Sequence, residues 1–205
     1  MGKNSHVLFN TIAPFYDLFY KRQRNYYEKI IDNIVNDIDL KIYKTVLDVG
    51  CGTGALCAVL NSKGLTVTGI DPAVKMLELA KGKSENNRIT FLHANVLEGL
   101  PFEDKAFDIS IASYVAHGLK QTERKKMYIE MSRITKEKVI IYDYNKNRSL
   151  LTSIVEWIEH GDYFHFINVA QREMEECMSD MNECFSDVRV INVGARAAWY
   201  ICTPT

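Results

Sequence analysis

Val46-Leu47-Asp48-Val49-Gly50-Cys51-Gly52-Thr53-Gly54-Ala55 is the stretch on which the fold turns. Thr45 to Val49 is a short, β-branched apolar run, which reads as a buried strand. It ends in alternate glycines, and Ala55 to Leu60 then reads as a helix. Glycines at such a turn let a ligand touch backbone directly, because no Cβ stands in the way. The carboxyl edge of an open α/β sheet is also where ligands bind. A tight turn could demand the same glycines for steric reasons alone. Asp71 strengthens the ligand reading, since it ends the next strand at roughly the 20-residue spacing where an acid can accept ribose hydroxyls. Asp71 also precedes Pro72, and Asp as N-cap before a first-turn proline starts a helix well without any ligand. The two roles are compatible.

Working outward, the elements alternate. Thr66 to Ile70 is predicted as a second strand, followed by a helix whose stripe is Ala73, Met76, Leu77 and Ala80. Ile89 to Leu92 and Phe107 to Ala112 are further strands, separated by a turn-rich stretch with Gly99, Pro101 and Asp104. Met127, Met131 and Ile134 mark a helix capped by Thr122, before the strand Val139 to Tyr142. Strands alternating with helices imply a parallel, doubly wound sheet with right-handed crossovers. Upstream, Val7 to Ile38 carries apolar residues at helical spacing, with Pro14 expected to divide it into two helices. Beyond Asp143, Leu150 to Ile158 and Ala170 to Met181 read as helices around an aromatic-rich stretch. Val188 to Val193 and Ala198 to Cys202 then read as a closing antiparallel hairpin turning near Gly194 and Ala195. The expected architecture is therefore α/β: a Rossmann-like, doubly wound, mostly parallel seven-stranded sheet with a C-terminal antiparallel hairpin.

Composition agrees with one globular domain: 205 residues, 47% hydrophobic, 25% charged, formal net charge -1. That balance disfavours nucleic acid, and the short basic runs at Lys21, Arg22, Arg24 and at Arg124, Lys125, Lys126 read as solvated helix faces. Five scattered cysteines without a C-x-x-C pair argue against a disulfide framework or metal site and for reduced thiols in a cytoplasm. No signal peptide pattern or membrane-spanning run is expected.

Gly50, Gly52 and Ala55 also satisfy the looser G-x-G-x-x-G/A pattern, so an NAD- or NADP-linked oxidoreductase on the same fold is one rival reading. A cofactor-binding regulator without catalysis is another. Asp48 just before the loop suits a cationic ligand better than a pyrophosphate, although a buried strand-end acid bonded within the protein explains it as well.

The strings VLDVGCGTGAL, GIDPAVKMLELAK and LPFEDKAFDISIA, in that order, resemble the successive motifs of class I S-adenosylmethionine-dependent methyltransferases of the methyltransferase type 11 kind. The opening FNTIAPFYDLFY resembles the N-terminal helix of the ubiquinone and menaquinone biosynthesis type. The resemblance implies S-adenosylmethionine as cofactor. Gly50, Cys51, Gly52 and Gly54 would line its methionine half, with Asp48 helping to orient the amino group. Asp71 would hold the ribose, Pro72 would pack on the adenine, and Asn95 with the Val96 amide would recognise the adenine edge. Ser113 would lie under the sulfonium, and Tyr16 would close over the cofactor. Two departures stand out: an amide, Asn95, where the family often has an acid, and Thr135-Lys136-Glu137-Lys138 in place of the usual basic, glycine-rich turn, which implies a tighter loop. Within one domain, residues 1–42 are then expected to form a helical lid, 43–145 the cofactor-binding core, and 146–205 a substrate cover with the closing hairpin.

Methyl transfer from a sulfonium is an in-line displacement that positioning alone can accelerate greatly. A general base would help a phenol or enol acceptor. His117 and Asp143, near the ends of the fourth and fifth strands, are candidates for it, though a packing or backbone-bonding role for His117 and a strand-end role for Asp143 are the commoner explanations. Residues 157–166, rich in aromatics, suit a planar or apolar small-molecule acceptor, although aromatics beside a hairpin more often serve simply as core. The expected assembly is a monomer or homodimer.

Overall fold

The computed structural model describes residues 5–34, 37–144, 176–193 and 197–205, the side chains of residues 5–18 and of residue 144 excepted. Its seven strands are β1 (Thr45–Val49), β2 (Thr66–Asp71), β3 (Thr90–His93), β4 (Phe107–Ser113), β5 (Thr135–Tyr144), β6 (Asp187–Asn192) and β7 (Ala197–Thr203). They form one sheet in the order β3-β2-β1-β4-β5-β7-β6. The first five run parallel, and β7 is antiparallel to both β5 and β6. The doubly wound sheet with a closing hairpin is therefore the observed fold. The strand order reverses between β1 and β4, which opens a crevice at their carboxyl ends.

Alternation along each strand divides the core. Val46, Ile109, Ile111, Ile140 and Tyr142 face α1 (Ser5–Asn33), α2 (Ala55–Ser62) and α3 (Val74–Lys81), meeting Ile30, Ile31, Ile34, Leu56, Leu60 and Leu77. Leu47, Ala112, Val139 and Ile141 face the other way. They meet Met127, Tyr128 and Met131 of α4 (Gln121–Ile134), and Cys177 and Met181 of the helix α5 at residues 176–184. Residues buried on both faces explain why the strands read as continuous apolar runs.

Three local expectations are corrected. α1 passes through Pro14 without a break. A proline removes a single i→i−4 bond, and this helix is fixed farther along by the burial of Ile30, Ile31 and Ile34. α4 starts at Gln121 after Lys120, so Thr122 sits in its first turn rather than at its cap; there the Lys120 N–H donates to Glu123 Oε2 at 2.9 Å. Thr135 to Lys138 is no loop: α4 ends at Ile134 and β5 begins at the next residue, with a register shift against β4 between Phe107 and Ile109.

The predicted helix at 150–158, the aromatic stretch at 157–166 and the turn at Gly194 and Ala195 lie outside the described residues. Among the described residues no helix is long and apolar enough to cross a membrane.

Candidate cofactor and acceptor site

Gly50, Gly52 and Gly54 all adopt positive φ, at 74°, 53° and 78°. The turn they make is tied to β2: the N–H groups of Gly50 and Cys51 both donate to the Ile70 carbonyl, at 2.8 and 3.0 Å. Their side faces differ. A Cβ on Gly50 would come 2.7 Å from Val115 Cγ2, and one on Gly54 would come 2.8 Å from Asn86 Nδ2 and 2.9 Å from Phe91 Cζ. A Cβ on Gly52 would meet nothing within 4 Å. Packing thus accounts for two of the glycines, whereas Gly52 fronts open space at the crevice, as a loop approached by a ligand requires.

Asp71 closes this loop from the side. One carboxylate oxygen accepts from the Gly52 N–H at 2.9 Å and the other from the Ala73 N–H at 2.8 Å. Burial raises the carboxyl above the usual range, and the Ala73 and Gly52 N–H groups pull it partly back. The cap of α3 is Ala73 rather than Asp71, so the helix starts at Val74, two residues past the expected proline start. Register places Asp71 opposite His93, whose Nε2 lies 3.1 Å from the Pro72 carbonyl. Asn95 follows on the same edge. Its Oδ1 accepts from Leu97 N–H at 3.1 Å and its Nδ2 donates to Glu98 Oε1 at 2.9 Å, so the side chain caps a short turn containing Val96.

Asp48 stands behind the loop rather than on its open face. It is 1% exposed, its carboxylate accepts from Cys57 Sγ at 3.0 Å, and burial pushes it up to about 7. Cys51, in the loop, is also buried, and all five cysteines are free.

The segment after β4 forms the opposite wall. Ser113 Oγ lies 2.9 Å from the hydroxyl of Tyr27 on α1. Val115 covers Gly50, and a short turn at Ala116–Gly118 carries His117. The structure brings together the two candidates for acid–base work: His117 Nδ1 is 3.0 Å from Asp143 Oδ1, and the His117 backbone N–H donates to Oδ2 at 3.1 Å. Asp143 is buried while the His117 side chain is 37% exposed. Nothing in the sequence pointed to Tyr26, Tyr114 and Tyr142, whose hydroxyls meet at this edge with separations of 2.7, 3.2 and 3.4 Å. Burial raises the hydroxyls of Tyr114 and Tyr142 well above their ordinary range. Tyr16 lies on α1, but its side chain is outside the described residues.

Residues 46–138 match a methyltransferase domain family. An uncharacterized methyltransferase of Bacillus licheniformis is 27% identical over 200 residues, taking in 91% of this chain and 89% of that protein. An uncharacterized protein of Methanocaldococcus jannaschii is 32% identical over 129 residues, 63% of this chain; the match takes in only 46% of that protein's length. Among solved structures, one described as an S-adenosyl-L-methionine-dependent methyltransferase from Methanococcus maripaludis superimposes with a TM-score of 0.71 at 25% identity, covering 96% of this chain and 93% of that one. The magnesium protoporphyrin IX methyltransferase of Synechocystis with bound S-adenosylhomocysteine shares the fold at a TM-score of 0.64 and 18% identity, over 89% of this chain and 83% of that one. With the open face of Gly52 beside Asp71 at the sheet's switch point, these likenesses support a class I S-adenosylmethionine-dependent methyltransferase, with S-adenosylmethionine as cofactor.

Proposed function

We propose that the protein methylates a small molecule at a nucleophile that carries a proton, a phenolic or enolic hydroxyl, with His117 as the general base. The observation that supports this most is the His117–Asp143 pair at the carboxyl edge of β4 and β5, on the far side of Ser113 from the glycine loop. S-Adenosylmethionine, when bound, supplies an electrophilic methyl group. The backbone around Gly50, Cys51, Gly52 and Gly54 would hold its methionine half, Asp71 the ribose, and Pro72, Asn95 and the Val96 amide the adenine. Asp48, set behind the loop, would act on the amino group through the loop it supports. Ser113, fixed by Tyr27, would lie beneath the sulfonium, and Tyr16 with its neighbours on α1 would form the cover.

In the transfer, the acceptor's hydroxyl oxygen would take the methyl group, which the cofactor would give up by leaving as a neutral thioether, and the hydroxyl proton would pass to His117. With Nδ1 engaged by Asp143, the imidazole's basic lone pair is at Nε2. Asp143 fixes that tautomer and balances the charge that develops, as a carboxylate behind a catalytic histidine does. Positioning contributes up to about 7 to 11 kcal/mol in favourable cases, and a base a further ~10²- to 10⁴-fold. A carboxylate acceptor would need no base, so the pair favours a hydroxyl. The quinone-pathway resemblance rests on residues 9–20, whose side chains are described only from Phe19 onward, and it adds a planar ring as the first acceptor to try.

The direct test is twofold. Calorimetric titration with S-adenosylhomocysteine, NAD and NADP should give binding of the first alone. A panel of planar phenols and enols, assayed for S-adenosylhomocysteine release, should then identify acceptors whose turnover collapses in His117→Gln. Turnover that survives intact in that variant rules out His117 as base.

A further inference from the structure

Tyr114 has φ +56°, a left-handed conformation that is a genuine outlier for a bulky side chain. Such a residue persists only where its surroundings over-determine it. Here they do. Its backbone N–H donates to the Tyr142 carbonyl at 2.8 Å, and its ring meets that of Tyr142 edge-on at 4.9 Å and 65°. Its hydroxyl donates to Tyr142 Oη at 3.2 Å, while Tyr26 Oη lies 2.7 Å from Tyr142 Oη and 3.4 Å from Tyr114 Oη. Three hydroxyls, from α1, from the turn just after β4 and from β5, therefore close a triangle in which each can donate to the next.

The left-handed turn has a consequence for chemistry. It reverses the chain directly after Ser113, so that Val115 packs on Gly50 and the Ala116–Gly118 turn sets His117 on Asp143 through both its backbone N–H and its ring. The Tyr114 ring also stands edge-on to the His117 imidazole, with centroids 6.4 Å apart at 78°, within the range of a productive aromatic pair. Tyr26 has no such contact with His117; it belongs to α1 and is 45% exposed.

We propose that Tyr114 is a positioning residue for His117, and that the Tyr26–Tyr114–Tyr142 hydroxyl triangle is the clamp that holds its strained turn, so that docking of α1 onto the sheet edge also orients the base. The second half rests on the reading of His117 as base; the first does not.

The test follows the ring ¹H–¹⁵N signals of His117 in the full-length protein, assigned by their loss in His117→Gln. Tyr26→Phe, Tyr142→Phe and Tyr114→Phe each remove one hydroxyl, and Tyr43→Phe, just before β1 at the opposite edge, serves as control. Tyr26→Phe is exposed and loses a single oxygen, so it should fold. The expected result is shifted or broadened His117 ring signals in Tyr26→Phe as well as in Tyr114→Phe, with the control unmoved. A several-fold fall in kcat at unchanged S-adenosylhomocysteine affinity should accompany it. Ring signals in Tyr26→Phe that match those of the unmodified protein overturn the clamp, even where Tyr114→Phe moves them. Since the signals are read without turnover, this outcome is separate from the fate of the general-base reading, which full activity in His117→Gln would end.

Discussion

The backbone N–H of Gly52 donates to Asp71 Oδ2 at 2.9 Å, so the loop after β1 and the acid that ends β2 are one hydrogen-bonded unit. Asp71→Asn puts an amide where two backbone N–H groups, of Gly52 and Ala73, need acceptors, and it can satisfy only one of them. The buried group left over costs about 1 to 3 kcal/mol. S-Adenosylhomocysteine affinity should fall at least about tenfold, equivalent to 1.4 kcal/mol. Calorimetry on the folded variant checks this; unchanged affinity would show that the loop needs no acid.

Two neighbouring glycines should respond oppositely to alanine. Gly52→Ala puts its methyl into open space, so its stability penalty is only that of the left-handed backbone, roughly 1 to 2 kcal/mol, while cofactor binding is lost. Gly54→Ala drives a methyl into Asn86 and Phe91 at under 3 Å, so it should lower Tm far more. Thermal melts beside calorimetry separate the glycine that serves the ligand from the one that serves packing. Equal melting temperatures would contradict the distinction.

His117 and Asp143 make the third prediction. His117→Gln should reduce kcat by ~10²- to 10⁴-fold at nearly constant cofactor affinity. Asp143→Asn should come close to it, because an amide that donates to Nδ1 holds the wrong tautomer.

Much of this was legible in the sequence, for physical reasons that differ by element. Strands buried on both faces must be continuously apolar, so Thr45–Val49 and Phe107–Ser113 could be located almost to the residue. The glycine loop and Asp71 were legible because left-handed backbone restricts residue choice. The boundary at Ile134 and Thr135 was not, because the usual turn residues are absent and only tertiary pairing with β4 makes Thr135–Lys138 a strand. His117 and Asp143 could each be named from strand ends, but their contact depends on the turn at Tyr114, and nothing about a tyrosine announces a positive φ. Asp48 read either as a ligand group or as a buried strand-end acid bonded within the protein, and only the structure shows it buried, with the Cys57 thiol donating to it.

That burial has a pH signature. Asp48 is raised from 3.8 to about 7 in the folded protein, so between those values the folded chain holds a proton that the unfolded chain has released. Stability therefore falls as pH rises through this window, by up to about 1.4 kcal/mol per pH unit, and levels off above it. Asp71, also raised, adds to the same trend, whereas Asp108, lowered to about 2 by the Lys44 and Thr45 N–H groups, loses its contribution only as pH falls below its ordinary value. Asp48→Asn keeps an acceptor for the Cys57 thiol and removes the titration. Urea unfolding at pH 5 and pH 7.5 should show the variant gaining on the unmodified protein at the higher pH; a constant difference would mean that Asp48 ionises normally.

The helix that follows His117 is anchored by a buried ion pair. Arg124 is 4% exposed, and its Nη1 donates to the Leu119 carbonyl at 2.9 Å while its Nε lies 3.4 Å from Asp180 of α5, which is fully buried. Gln121 Nε2 donates to the same carboxylate at 3.1 Å, and Lys125 Nζ approaches it at 3.5 Å. Removing Asp180 would leave the buried guanidinium to the exposed Glu176 and the Leu119 carbonyl, and breaking a buried ion pair in this way costs roughly 3 to 5 kcal/mol. Glu176, which also reaches Arg124 at 3.6 Å, is 54% exposed, so its loss should cost no more than about 1 kcal/mol. Chemical denaturation of Asp180→Ala and Glu176→Ala tests the contrast. Because Leu119 lies two residues past His117, loosening this anchor should also reach the site: Asp180→Ala, where it remains folded, should raise KM for the acceptor more than the Kd for S-adenosylhomocysteine, most of whose proposed contacts lie at the ends of β1, β2 and β3. An equal rise in both would mean that the two halves of the site move as one.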